Sequence, residues 1–225
     1  AGFVIGVMNV TGLGFALTSF LVNTAGGNIA ILLLISAAVC IVLGMGMPTL
    51  GVYILLAALV APAIVEGGVA PLSAHFFILY FGMMSMITPP IALAAFAAAA
   101  IAGSEPMATG WASMRFAWVA YFIPFAFVAA PALLMQDSRL LIAINFATAL
   151  AGVYFATVAV VGHLFRPINA ASRVALGLAG LTSLTPWPSE FGLLAGINIA
   201  ALSIGALVIF GERAASRGDV GDPTG

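Results

Sequence analysis

The chain has no lysine, and its 225 residues carry only 6 basic and 7 acidic side chains, 6% charged in all, for a net charge of -1. Without a basic footprint there is nothing to neutralise phosphates, which excludes nucleic acid as a partner. The single cysteine, Cys40, sits inside an apolar run. A disulfide within the chain and a cysteine metal site are therefore both excluded. The two histidines, His75 and His163, are far apart with no carboxylate at ligand spacing, so no metal motif is visible. No nucleophile, base or metal set stands inside the apolar runs, so an enzyme is not expected. What is abundant is apolar surface: 64% of residues are hydrophobic, and the mean hydropathy is +1.24. No water-soluble domain has this balance, and the reading is an all-α polytopic membrane protein. The first residues, AGFVIGVMNV, lack a start methionine, a charged n-region and a cleavage site. They read as the middle of a larger membrane protein.

The most informative stretch is HFFILYFGMMSMITPPIALAAFAAAAIAG, residues 75–103, which is apolar throughout and broken at Thr88-Pro89-Pro90. Two adjacent prolines remove two backbone donors, and Pro90 disfavours helical angles at Pro89. In lipid the freed carbonyls are tolerated only where they are buried in protein or line a wet cavity. Ser85 and Thr88 add hydroxyl oxygens at the same level. Two readings follow: a proline kink in a structural helix, or a discontinuous helix of the kind that holds ions and anionic substrates in secondary transporters.

In chain order, residues 3–22 form an apolar segment interrupted by Asn9, Thr11, Gly12 and Gly14, followed by the polar turn NTAGGN at 23–28. The run at 29–64 is too long for one ordinary span and barely long enough for two. It is divided at Gly44-Met45-Gly46-Met47-Pro48-Thr49, where two glycines and a proline disfavour continuous helix. Each arm is near ~20 Å if helical, which fits either a broken span or a re-entrant hairpin. Glu66, beside Gly67, Gly68 and Pro71, reads as a solvated turn. Ser104 reads as the N-cap of a helix with Glu105 and Pro106 in its first turn. Trp111 and Arg115 suit an interfacial position for that helix. Residues 116–135 read as a span kinked by Pro124 and Pro131, then Asp137-Ser138-Arg139 as a turn, and 140–161 as a cleaner span. Two further spans, at 174–187 and 192–210, are separated by PWPSE, and the tail from 212 to 225 reads as a disordered polar segment. Counting spans back from Arg213 and Arg217 puts Arg166, Arg173 and Arg115 on one side and Arg139 alone on the other. This predicts a cytoplasmic C-terminus by the positive-inside rule.

The ordered combination of VLGMGMPT, then AHFFILYFGMMSMITPPIALAAFAAAAIAG, then PMATGWASMRFAWVAYFIPF resembles the C-terminal part of a fused tripartite ATP-independent periplasmic (TRAP) transporter permease. The resemblance covers roughly residues 1–137; residues 138–211 are similar to the C-terminal membrane extension of fused permeases, ahead of the polar tail at 212–225. It implies an elevator-type transporter of two inverted repeats, each with a helical hairpin and a broken helix. The second repeat would lie here, with GMGMPT at the hairpin tip and ITPP at the helix break. It also implies a bacterial inner-membrane location, a soluble periplasmic TAXI-type receptor as partner, and the remaining repeat as a second partner. Residues carried over as ion- and substrate-binding are Gly44, Gly46, Pro48, Thr49, Ser85, Thr88, Pro89 and Pro90. The hydroxyls of Ser85 and Thr88, with backbone carbonyls, would coordinate sodium.

On this reading the carbonyls and hydroxyls replace part of a small cation's hydration. No arginine or lysine lies in the stretch, so a carboxylate substrate would meet the helix N-terminus after Pro90 and the co-bound cation. A proton is the competing coupling ion. The competing class is a non-transporting membrane scaffold, in which seams such as ALAAFAAAAIAG are packing devices only. The resemblance suggests organic acids or amino acids as substrates and no organic cofactor.

Overall fold

The computed structural model describes residues 2–164, 167–185 and 193–219. Arg166, the PWPSE connection and the end of the tail lie outside the described residues. The described chain is helical, with one isolated β-bridge between His163 and Pro167 and no strand among these residues. It separates into two compact units, residues 1–128 and 129–225.

The first unit opens with α1 (Gly2–Thr11) and α2 (Leu13–Ala25). Gly12 between them is left-handed, at φ 68°, so the single segment expected at 3–22 is two helices. The expected polar turn is also shorter. Asn23, Thr24 and Ala25 stay helical, and the chain turns at Gly26 and Gly27, both at positive φ. Asn28 then caps α3 (Ile29–Gly44), its Oδ1 accepting from Ala30 N–H at 3.0 Å and Ile31 N–H at 3.3 Å, the usual role of Asn at a helix start.

After the tip at 45–48 come α4 (Thr49–Leu59) and the short α5 (Ala61–Glu66). The chain there returns to the end from which α3 departed. A Cβ built on Gly67 would lie 2.3 Å from Leu32 Cδ2. Asn28, Ile29, Glu66 and Gly67 line one shallow pocket. A span broken in the middle would place Asn28 and Gly67 at opposite ends; a hairpin places them together, as found. The buried residues of this unit come from both arms and from α2 and α6 (Pro71–Met84), with Leu21, Cys40, Leu56, Ile64, Phe77 and Ile78 essentially inaccessible.

Beyond the break, α7 (Leu93–Ala102) leads to α8 (Pro106–Phe116) and α9 (Trp118–Ala129). The cap of α8 is Glu105, one residue later than expected. Its carboxylate accepts from Met107 N–H at 3.0 Å and from Ala108 N–H. Proline favours the first helical position, so Pro106 assigns the cap to its predecessor. Ser104 Oγ instead bonds Thr109 Oγ1 at 2.9 Å. Helices α8 and α9 are bent by 43°. Pro124 lies within α9. Pro131 opens a 3-10 turn (Pro131–Leu134) after the helix has ended, so the span expected to run to 135 stops at Ala129.

In the second unit, α10 (Arg139–Val161) packs on α11 (Ala170–Ser183) through glycines. A Cβ on Gly152 would lie 2.9 Å from Gly180 O, and one on Gly180 would lie 2.7 Å from Ala156 N. The Arg173 guanidinium closes the end of α10, with Nε donating to Ala159 O at 3.0 Å and Nη2 to Val160 O at 3.3 Å, as cations near a helix C-terminus do. α12 (Leu193–Asp219) continues well past the expected start of a disordered tail. Alanine, arginine and glutamate favour helix there, and Glu212 Oε1 accepts from Ser172 Oγ at 3.0 Å.

Among the described residues, Arg139–Val161 and Gly196–Arg213 are long and apolar enough to cross a membrane, and α8 with α9 would add a third if the bent pair is one span. α11 has 14 residues, ~21 Å of helix against a hydrocarbon core of about 30 Å. The shorter apolar helices α2, α3, α4, α6 and α7 have the lengths of hairpin arms and half-helices.

The hairpin makes a direct prediction. Thr24 and Glu66 are both exposed. With Cys40→Ala as background, Thr24→Cys and Glu66→Cys should react with an impermeant thiol reagent from the same face of the membrane. Reaction from opposite faces would require a span broken at 44–49.

Candidate functional site

The site is built around the end of α6. In a continuous helix the N–H groups at positions 89 and 90 would donate to Ser85 O and Met86 O; both positions are proline. The structure shows where the affected carbonyls go. Met86 O is reached by Ala94 N at 2.9 Å, from the first turn of α7 across the break. Thr88 O accepts from Ala92 N at 3.2 Å, and Ala92 takes a left-handed conformation, φ 34°, unusual for a residue with a Cβ. The Pro89–Pro90 bond is cis. Among the described residues, no backbone N–H donates to Ser85 O, Ile87 O or Pro89 O.

The two hydroxyls turn back onto the helix they end. Ser85 Oγ donates to Gly82 O at 2.5 Å, and Thr88 Oγ1 lies 2.6 Å from Met84 O. Both residues are buried, Ser85 to 1% and Thr88 to 8% exposure. Buried oxygen-rich backbone with no formal charge is the donor chemistry of a small hard cation. α7 begins at Leu93 rather than directly after Pro90, and no side chain caps its N-terminus.

The hairpin tip meets this break through glycines. Gly44, the last residue of α3, is buried against it. A Cβ there would lie 2.8 Å from Ser85 Oγ and 2.9 Å from Gly82 O. One turn earlier on α6, Gly82 admits the other arm, since its own Cβ would meet Val52 Cγ1 at 2.6 Å and Leu56 Cδ1 at 2.9 Å. Approach this close, of the Gly44 backbone to Gly82 O and of the Val52 and Leu56 side chains to the Gly82 backbone, requires residues without side chains. Of the predicted site residues, Gly44, Ser85, Thr88, Pro89 and Pro90 therefore fall in one place, by packing or by adjacency in the chain. Gly46, Pro48 and Thr49 do not join them: all three are exposed at the tip. Gly46 supplies the positive φ of 82° that the turn needs, and Pro48 precedes the first residue of α4, Thr49.

Sequence reasoning missed two partners. Tyr121 on α9 places its hydroxyl 2.6 Å from Thr88 Oγ1. Gly110 on α8 lets Pro89 approach: a Cβ there would lie 2.9 Å from Pro89 Cγ. A lone tyrosine in the apolar run WVAYFIPF was the available signal, because a phenol in such a run needs a hydrogen-bond partner. Its partner, 33 positions away, follows from tertiary packing. A second hydroxyl contact, Tyr53 OH to His75 Nδ1 at 3.1 Å, ties α4 to the early part of α6.

With this geometry in view, comparison with known proteins gives one match. The family model described as "Tripartite ATP-independent periplasmic transporter, DctM component" matches residues 1–142. No curated protein and no solved structure matches the chain.

The glycine contact is testable by itself. Gly44→Ala must displace the tip or the Gly82 carbonyl, at a cost of about 1–3 kcal/mol of overpacking. Gly51→Ala, on the open side of α4 with nothing within 4 Å, should be neutral or stabilise by about 0.5–1 kcal/mol. Thermal melts in detergent should rank Gly44→Ala below and Gly51→Ala at or above the parent; equal melting temperatures would refute the close approach.

Proposed function

The chain belongs to the DctM-component family of tripartite ATP-independent periplasmic transporters, and on that premise we propose that its hairpin tip and broken helix form half of an ion-coupled substrate site. Membership makes the chain part of an integral inner-membrane transporter permease, one that works with a periplasmic substrate-binding protein and with the rest of the permease. The finer reading is ours. Residues 1–137 are the second inverted repeat of an elevator-type, fused permease, and residues 138–211 are its C-terminal membrane extension. Its cargo is an organic acid or amino acid handed over by a TAXI-type receptor, and sodium drives uptake.

One observation carries this reading: Gly44 of the tip is seated against Ser85 and Gly82, beside a double-proline break whose Ser85, Ile87 and Pro89 carbonyls receive no backbone N–H among the described residues. A packing-only kink would use the hydroxyls to cover the last carbonyls of α6, but it does not need the docked tip. Thr88 Oγ1 and those carbonyls supply neutral oxygens beside the buried Ser85 and Thr88, which favours a monovalent hard cation over a proton, for which the stretch offers no carboxylate. The uncapped start of α7 suits the negative end of a substrate. Gly46, Pro48 and Thr49, exposed at the tip, are in this reading the side that closes on substrate. The C-terminus is assigned to the cytoplasm on the five-to-one split of arginines. Under that orientation, positions 24 and 66 react with the impermeant reagent from outside intact cells; failure of both to react, with reaction after lysis, would invert it.

Thr88→Val keeps the shape of the side chain and removes its oxygen. In proteoliposomes of the whole transporter with its binding protein, uptake should need roughly ten- to a hundredfold more sodium, since one oxygen contact in a dry site is worth about 1–3 kcal/mol. Thr109→Val, at the exposed start of α8 where Thr109 bonds Ser104, should leave sodium dependence unchanged. An unaltered sodium curve for Thr88→Val would remove Thr88 from the site, and uptake driven equally well by a proton gradient in sodium-free medium would replace the ion.

A further inference from the structure

We propose that Tyr121 is a positioning residue for the cation site, donating its phenolic proton to Thr88 Oγ1 and so fixing which way the threonine's own proton and free lone pair face; this rests on the ion-site reading above. The assignment follows from proton counting. Thr88 Oγ1 lies 2.6 Å from two oxygens, Met84 O and the Tyr121 hydroxyl. A carbonyl can only accept, and a hydroxyl carries one proton and two lone pairs. If Thr88 donated to Tyr121, its oxygen and that of Met84 would face each other at 2.6 Å with no proton between them. Both contacts are hydrogen bonds only when Tyr121 donates to Thr88 and Thr88 donates to Met84 O. Thr88 then keeps one lone pair, which is what a cation requires of a hydroxyl ligand.

The tyrosine can hold that orientation because α9 is anchored to α6 along the same face. Phe125, one turn after Tyr121, sits edge-on to Phe77 and Phe81, with ring centroids at 5.3 and 5.5 Å. Two residues further, Phe127 O accepts from Ser73 Oγ at 3.0 Å. The position of the phenol is therefore set by packing that does not involve the break. Without the hydroxyl, Thr88 Oγ1 is held only by its own bond to Met84 O, and the direction of its remaining lone pairs is no longer fixed by a second partner. A phenol that merely satisfied itself on the nearest oxygen would contribute to stability and leave ion affinity alone, so the two roles differ in what they move.

The test is sodium-dependent uptake by the whole transporter with its binding protein, comparing Tyr121→Phe, Thr88→Val and the double variant, with the sodium concentration for half-maximal uptake and the maximal rate read separately. Tyr121→Phe keeps the ring and its packing. It should raise the half-saturating sodium about three- to tenfold, the scale of one lost hydrogen bond, with maximal rate changed less than about twofold. The double variant should be no worse than Thr88→Val alone, since Tyr121 acts through Thr88. Tyr53→Phe removes a tyrosine hydroxyl contact to His75 on α6, away from the break, and should leave half-saturation unchanged. A Tyr121→Phe transporter with normal sodium dependence and only a lower melting temperature or rate overturns the proposal, as does a double variant whose two shifts multiply. If Thr88→Val shifts while Tyr121→Phe does not, the positioning role alone falls; if neither shifts, the cation site falls and takes it along.

Discussion

Two adjacent residues without N–H groups, in a chain with almost no charge, set the constraint from which the first unit follows. Inside a membrane each backbone carbonyl must find a partner or border something polar. Pro89 and Pro90 withdraw the donors that Ser85 O and Met86 O would have had. The chain responds with local devices: Ala94 N reaches back to Met86 O, Ala92 adopts a left-handed turn to give Thr88 O a donor, and Ser85 and Thr88 fold their hydroxyls onto the last carbonyls of α6. What these devices leave over is a short row of carbonyls, and the function proposed for the chain is a use for that remainder.

The second unit shows what packing without such a break looks like. There Gly152 and Gly180 bring α10 and α11 within backbone contact, yet α10 runs unbroken for 23 residues, and Arg173 closes two of its last carbonyls. In the first unit the same device, glycine against backbone, is spent at Gly44 and Gly82, where it brings a turn to a helix end. A scaffold needs close helix approach and obtains it in the second unit by glycine alone. Only the first unit combines the approach with a double-proline break, and on the proposed function that combination marks a transport element rather than a packing element.

Much of this was legible in the sequence because proline and glycine act locally. The all-helical class, the hairpin at 29–64 and the break at Thr88-Pro89-Pro90 each follow from residues that forbid regular helix at that place, though the structure widens the break to 85–92. The errors fall where a local signal has to be resolved to one residue or overruled by neighbours. Ser104 and Glu105 are both competent caps, and the proline at 106 selected the second. Gly12 was visible as an interruption, but only its positive φ makes it a boundary between two helices. The polar tail carried the composition of disorder, yet helix formers and the bond from Ser172 to Glu212 extend α12 to Asp219. Tyr121 was out of reach for a different reason. Its significance is a distance to Thr88, and no periodicity within WVAYFIPF encodes one.

The central claim is that the break between α6 and α7, with the hairpin tip docked on it, is where the coupling ion sits. The most direct measurement is a pair of high-resolution density maps of the whole transporter, one in sodium and one with sodium replaced by choline. The account predicts a density feature in the sodium map alone, in contact with Thr88 Oγ1 and with at least two of the carbonyls of Ser85, Ile87 and Pro89, at the short distances of oxygen–cation coordination. A break that is identical in both maps, with those carbonyls facing side chains or lipid, would contradict it.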